Sequence, residues 1–103
     1  MPTRPSQQTP EQTLKWETRR RTVGAKIREL RLEQNLSQEA LALESGLSRN
    51  MIIGLEWGRK SVAYERLWDI ADVLQVPIMQ LLAEPTSEVV SAPYKGGSRP
   101  MGR

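Results

Sequence analysis

The chain has 103 residues and a mass of 11.7 kDa, which is enough for one small domain but not for two. It contains no cysteine, which excludes disulfide bonds and thiolate metal sites, and no histidine, which removes the commonest general base. We therefore expect a protein that is not an enzyme, with no catalytic residues, no metal ion and no cofactor.

The charge is distributed unevenly around a net value of +3. Residues 1–36 carry eight basic and four acidic side chains, whereas residues 61–83 carry one basic and three acidic side chains. This asymmetry favours a polyanionic partner on one face of the molecule. Ordinary balance of surface charge is the alternative interpretation.

Hydropathy gives no indication of a membrane protein. No apolar run approaches the ~20 residues that span a bilayer, and the polar N-terminus lacks the apolar segment of a signal peptide. We expect a cytoplasmic protein without membrane contacts.

The first 21 residues are predicted to form an N-terminal arm that is helical only in part. Residues 1–9 are polar and without periodicity, which is typical of a flexible segment. The stretch Thr9-Pro10-Glu11-Gln12 then has the pattern of a helix start, with Thr as the cap and Pro in the first turn. Trp16, Val23, Ile27 and Leu30 share one helical face. We predict a helix over residues 22–34; a single helix from about Pro10 to Gln34 is the alternative.

Two short helices separated by a glycine turn follow. Asn35 suits the left-handed position at the end of the first helix, and Ser37 is a good cap for the second. Its inward face is supplied by Leu41, Ala42 and Ser45, and Gly46 provides the positive φ of a tight turn.

The helix after that turn is predicted to be capped by Ser48 and to bury Ile52 and Leu55. Its outer face then carries Arg49, Asn50, Ile53, Gly54 and Trp57. We expect Trp57 to pack on Trp16 or Trp68.

The remaining apolar positions indicate a fourth helix over 64–74 and a short fifth helix over 78–82. Residues 84–103 are rich in Pro, Ser and Gly and are predicted to form a flexible tail.

The order and spacing of these residues resemble the sequence pattern of the lambda-repressor-like family of DNA-binding proteins, the Cro/C1-type helix-turn-helix or XRE family. The resemblance runs from about Val23 to Leu82 and rests on the following stretches: Ile27-Arg28-x-x-Arg31, Leu36-Ser37-Gln38-Glu39-x-Leu41-Ala42, Ser45-Gly46-Leu47-Ser48-Arg49, Ile52-x-x-Leu55-Glu56-x-Gly58-Arg59-Lys60 and Leu67-x-x-Ile70-Ala71-x-x-Leu74-x-Val76-Pro77.

The resemblance implies an all-α fold, with a five-helix DNA-binding domain over residues 22–83 between flexible N- and C-terminal tails. It also implies a sequence-specific transcriptional regulator of double-stranded DNA, most simply a repressor that binds a pseudo-palindromic operator as a homodimer. The candidates for the interface of the homodimer that the resemblance implies are the apolar residues Ile78, Met79 and Leu82. Such a protein is expected to be cytoplasmic and to associate with the nucleoid when bound to DNA. The alternative is an antitoxin or adaptor, whose helical domain and tails mainly bind another protein.

The resemblance implies that residues 48–57 form the recognition helix and that Arg49 and Asn50 contact base edges. Ile53 departs from the polar outer face of many relatives; it could contact a thymine methyl group, and a protein contact is the alternative. Contacts to phosphate would come from Gln38, Ser48, Arg59 and Lys60. The basic run Arg19-Arg20-Arg21 adds Arg21 as a candidate for a phosphate contact, with a solvated charge run as the alternative. Arg31 and Glu56 would form a structural salt bridge between the first helix and the recognition helix.

Overall fold

Helix α1 spans Pro10–Glu33 in the computed structural model, which describes residues 8–83. The Thr9 hydroxyl accepts a hydrogen bond from the Gln12 backbone N–H at 3.1 Å, and the Gln12 side chain accepts one from the Thr9 backbone N–H at 3.0 Å. This reciprocal cap confirms the helix start indicated by the sequence. The helix is therefore continuous over 24 residues and begins at Pro10 rather than near Thr22. Residues 1–7 of the predicted arm and the whole predicted tail over 84–103 lie outside the described residues.

The end of α1 is formed as predicted. Asn35 adopts a left-handed conformation with φ 59°, and the Leu36 N–H donates to the Arg31 carbonyl at 3.1 Å. This bond satisfies one of the free carbonyls at the helix end and returns Leu36 towards the core.

Helices α2 (Gln38–Ser45) and α3 (Arg49–Glu56) form the predicted helix pair. The hydroxyls of Ser37 and Ser48 accept hydrogen bonds from the third residue of each helix, at 2.9 and 3.0 Å. Gly46 joins the helices with φ 77°, a conformation that side chains with a Cβ rarely adopt. The local caps and this turn fix the angle between α2 and α3.

Helices α4 (Tyr64–Leu74) and α5 (Ile78–Leu82) complete the domain. Ala63 stands at the cap position of α4 and provides no side-chain hydrogen bond. Gln75 ends α4 in the left-handed region with φ 60°, which the sequence analysis did not anticipate. No helix within residues 8–83 is both long and apolar enough to cross a membrane.

All five helices contribute to one apolar core, and the described residues contain no β-strand. Eleven apolar residues are buried in it: Ile27, Leu30, Leu41, Ala42, Ile52, Leu55, Leu67, Ile70, Ala71, Leu74 and Leu81. The all-α, five-helix fold is therefore confirmed. Its consequence is that α3 lies against α1 and α2 on one side and is exposed on the other.

Candidate nucleic-acid interface

The first turn of α3 presents two exposed polar side chains, Arg49 and Asn50. Ile53 lies one turn further on and is half-buried, so that only part of its side chain faces solvent. Arg and Asn are the residue types that form bidentate hydrogen bonds with guanine and adenine in the major groove. The end of α3 nearest the Ser48 cap is thus the part that could reach base edges.

Arg49 is not isolated on this surface. Its Nε lies 3.2 Å from the Oε2 atom of Glu39, in the first turn of α2. The contact between Glu39 and Arg49 could not be predicted from the sequence, because it depends on the angle between the two helices.

The predicted outward position of Gly54 is wrong. Gly54 is buried, and a Cβ placed on it would lie 2.7 Å from Cδ of Lys60. Its carbonyl accepts hydrogen bonds from the backbone N–H groups of Arg59 (2.8 Å) and Lys60 (3.2 Å). The chain after α3 therefore folds back over Gly54 and covers it.

The predicted packing of Trp57 on Trp16 or Trp68 is also wrong. The Trp57 side chain is 64% exposed, and the Arg59 guanidinium lies 6.0 Å from its ring centroid. Trp68 instead forms an edge-to-face pair with Tyr64, with the ring centroids 6.0 Å apart. Trp57 and Arg59 together make a flat cationic surface at the C-terminal end of α3.

Arg31 and Glu56 meet in the interior between α1 and α3. Arg31 Nε donates to Glu56 Oε2 at 2.6 Å and Nη2 donates to Oε1 at 3.0 Å, a bidentate pair that is almost completely buried. Arg31 Nη1 also donates to the Leu36 carbonyl at 2.8 Å. This network fixes the C-terminal end of α3 to α1.

Gln38, for which the resemblance implies a phosphate contact, takes part in the same network. Its Nε2 donates to Glu56 Oε1 at 3.1 Å. Gln38 also lines an open cleft at the start of α2, together with Arg28, Ser37 and Trp57. Its backbone N–H lies at the N-terminus of α2, a position that favours anions.

The basic run Arg19-Arg20-Arg21 is divided between two roles. Arg20 Nε donates to the Gly58 carbonyl at 3.1 Å, so Arg20 braces the turn after α3. Arg21 is exposed and lies 4.0 Å from Glu17, and its backbone lies close to Gly58. Arg21 therefore stands beside the loop that carries Arg59 and Lys60.

A close approach of helix backbones at Gly24 was missed by the sequence analysis. A Cβ at Gly24 would lie against the Leu55 carbonyl and 2.9 Å from the Glu56 carbonyl oxygen. Helices α1 and α3 can therefore cross closely only because position 24 has no side chain. The available signal was a glycine inside a predicted helix.

The remaining proposed phosphate ligands form the edge of this surface. Arg59 and Lys60 are exposed in the turn after α3. The exposed Ser48 hydroxyl accepts from the Met51 backbone N–H, which leaves its own hydrogen free to be donated. Ser48 at one end of α3 and the two cations at the other thus flank Arg49 and Asn50.

Comparison with known proteins agrees with this arrangement. The helix-turn-helix family HTH_3 matches residues 27–81. Over 56 residues the chain is 43% identical to an uncharacterised transcriptional regulator in the ATPase CF(0) region of Rhodospirillum rubrum; the match covers 54% of this chain and 52% of that protein. Over 66 residues it is 32% identical to the cryptic phage CTXphi transcriptional repressor RstR of Vibrio cholerae, covering 64% of this chain and 60% of the repressor.

Among solved structures, the restriction-modification controller protein C.AhdI from Aeromonas hydrophila superposes with a TM-score of 0.61 at 34% identity. That match covers 63% of this chain and 94% of C.AhdI. The chain thus spans nearly all of C.AhdI but only about half to three fifths of the two curated relatives.

Proposed function

Because the chain belongs to the helix-turn-helix family HTH_3, we propose that it regulates transcription by binding a specific sequence of double-stranded DNA. The observation that carries this proposal is the exposed pair Arg49 and Asn50 at the start of a helix whose other end is fixed in the core. Base readout needs side chains held in a constant position relative to the duplex. The recognition helix, residues 48–57, satisfies that need.

Direct readout is assigned to three residues of this helix. Arg49 pairs with guanine and Asn50 with adenine, each contributing ~1–3 kcal/mol of discrimination against other bases. The half-buried Ile53 contacts a thymine methyl group with its exposed part. Gly54 takes no part, because Lys60 covers it.

The surrounding polar groups position the helix on the DNA backbone. They are Gln38, Ser48, Arg59, Lys60 and Arg21. The three cations stand near the C-terminal end of α3, where Trp57 widens the surface. Such contacts supply affinity that depends on salt but carries no sequence information.

We further propose that the chain binds as a homodimer through the surface where α5 meets α1. Ile78 packs on the core, but Met79 and Leu82 are exposed, and Leu82 shares an open apolar groove with Leu14 and Val23 of α1. Exposed apolar side chains grouped in this way favour a protein contact. Two-fold symmetry would place two recognition helices about 34 Å apart, one turn of DNA, on a pseudo-palindromic operator.

Repression is the simplest regulatory outcome for such a dimer. A dimer bound to an operator excludes other proteins from the same DNA. The similarity to a phage repressor supports this direction of control.

In vitro selection of bound duplexes from a random library, followed by sequencing, tests the proposal. We expect an enriched inverted repeat whose half-sites are separated by one helical turn, and a specific affinity at least ~10³-fold above that for random DNA. Equal, weak binding of selected and random duplexes would refute it. Recovery of a tight protein partner by a chain without DNA preference would instead identify an antitoxin or adaptor.

A further inference from the structure

The carboxylate of Glu39 and the guanidinium of Arg49 face each other across the angle between α2 and α3. Oε2 of Glu39 lies 3.2 Å from Nε of Arg49, although the two side chains are 70% and 53% exposed. Each residue lies in the first turn of its helix. The Gly46 turn and the two serine caps hold these turns in a fixed relation, so the pair is supported by rigid backbone.

The position of this contact determines which N–H groups of Arg49 remain free to bind DNA. Arginine has five N–H groups, one on Nε and two each on Nη1 and Nη2. The contact with Glu39 is at Nε, next to the aliphatic stem, whereas Nη1 and Nη2 are the terminal nitrogens of the guanidinium. A bidentate bond to O6 and N7 of guanine requires two parallel N–H groups, and Nη1 with Nη2 supplies them.

We propose that Glu39 is a positioning residue that sets the sequence specificity of Arg49. By attracting the guanidinium at Nε, it favours the orientation in which Nη1 and Nη2 point towards the base edge and Arg49 does not turn to a phosphate. This inference rests on the proposed function, sequence-specific DNA binding, and adds a determinant that does not itself touch a base.

The Glu39 carboxylate should also lower the affinity for DNA of any sequence, in addition to its effect on the preference for guanine. A negative charge in the first turn of α2 repels the phosphate backbone, so it weakens binding to every sequence. Loss of Glu39 should therefore strengthen binding to random DNA and weaken the preference for guanine at one position. Loss of a residue with only a structural role would not raise the affinity for random DNA while lowering the preference for guanine.

The experiment measures binding of the full chain to its selected duplex, to the duplex with that guanine replaced, and to random DNA. For Glu39→Gln we expect the preference for guanine to fall about three- to tenfold. Affinity for random DNA should rise about two- to threefold. The melting temperature should stay within ~2 °C of the wild type, since an exposed pair contributes little stability.

Two controls distinguish the general effect of removing a negative charge from the effect of losing the contact between Glu39 and Arg49. Glu44→Gln removes an exposed carboxylate at the other end of α2 and should leave the preference for guanine unchanged. In an Arg49→Ala background, Glu39→Gln should cause no further loss of preference, since there is no guanidinium left to position.

The outcomes distinguish this inference from the proposed function. If the wild type discriminates and Arg49→Ala abolishes the preference at one base pair while Glu39→Gln leaves it intact, the inference fails and the function stands. The inference also fails if Arg49→Ala changes no base preference. A wild type that shows no preference for any sequence overturns both.

Discussion

The Arg31 guanidinium and the Glu56 carboxylate form a bidentate, almost fully buried pair that ties α1 to the last residue of α3. A third group, the Gln38 side-chain amide, bonds the same carboxylate from the start of α2. The orientation of the recognition helix is thus set by polar contacts at its C-terminal end, away from the residues proposed to read bases.

Arg31→Ala should lower the free energy of unfolding by ~3–5 kcal/mol, because it leaves the buried Glu56 carboxylate without its charged partner. Urea denaturation measures the change. Arg28→Ala, one turn earlier and exposed, is the matched control and should cost under ~0.5 kcal/mol.

If Arg31→Ala does not fold, the double variant Arg31→Met with Glu56→Leu keeps the prediction testable. Removing both charges avoids an unpaired buried ion, so the double variant should be more stable than Arg31→Ala alone. A single variant as stable as the wild type would mean that the pair does not fix α3.

Gly24→Ala should destabilise the domain by ~1–3 kcal/mol, because the new methyl group meets backbone carbonyls of α3 that cannot move separately from the helix. Gly54→Ala is the matched control. There the methyl group meets the flexible stem of Lys60, and the ~1 kcal/mol of helix propensity that alanine gains should offset the adjustment. Equal losses from both substitutions, measured by urea denaturation, would contradict the close crossing at Gly24.

The elements that could be predicted from the sequence depend on local chemistry. The caps at Thr9, Ser37 and Ser48 and the left-handed positions of Asn35 and Gly46 each involve residues close together in the chain. Apolar periodicity then identified the inward faces of the helices.

The features that the sequence analysis missed depend on the path of the chain after α3. That turn folds back so that Lys60 covers Gly54, Arg20 binds the Gly58 carbonyl and Trp57 stays in solvent beside Arg59. Helical periodicity assigned Gly54 and Trp57 to faces of an isolated helix and had no information about this loop. The contact between Glu39 and Arg49 is hidden for the same reason, since it requires the angle between two helices.

Arg59→Gln should weaken binding to all DNA sequences and leave base preference unchanged, because Arg59 is assigned to the phosphate backbone. The slope of log affinity against log salt concentration should become shallower by ~0.9, the value for one lost phosphate contact. Fluorescence anisotropy at several salt concentrations measures this slope. Lys15→Gln is the control: it also removes one positive charge, but in the groove between α1 and α5, and it should leave the slope unchanged. A change in base preference caused by Arg59→Gln would contradict the assignment of Arg59 to the phosphate backbone.

Leu82→Lys should convert the proposed dimer to a monomer without unfolding the domain. The Leu82 side chain is already 48% exposed in one chain, so lysine can be accommodated there, but a lysine ammonium covered by an apolar dimer interface would lose its hydration without gaining a charged partner. Sedimentation equilibrium at micromolar concentration measures the mass directly, and circular dichroism checks that the helices persist.

Leu43→Lys is the control for this substitution, because Leu43 is 82% exposed on α2 and lies outside the proposed interface. It should leave the mass unchanged. The monomeric Leu82→Lys variant should still bind a single half-site with wild-type affinity, but it should lose the added affinity of the full operator, since that gain comes from linking two recognition helices. If Leu82→Lys remains dimeric, the α5–α1 surface is not the interface. If the wild type is monomeric at these concentrations, the proposed homodimer is wrong and a full inverted repeat should offer no advantage over its half-site.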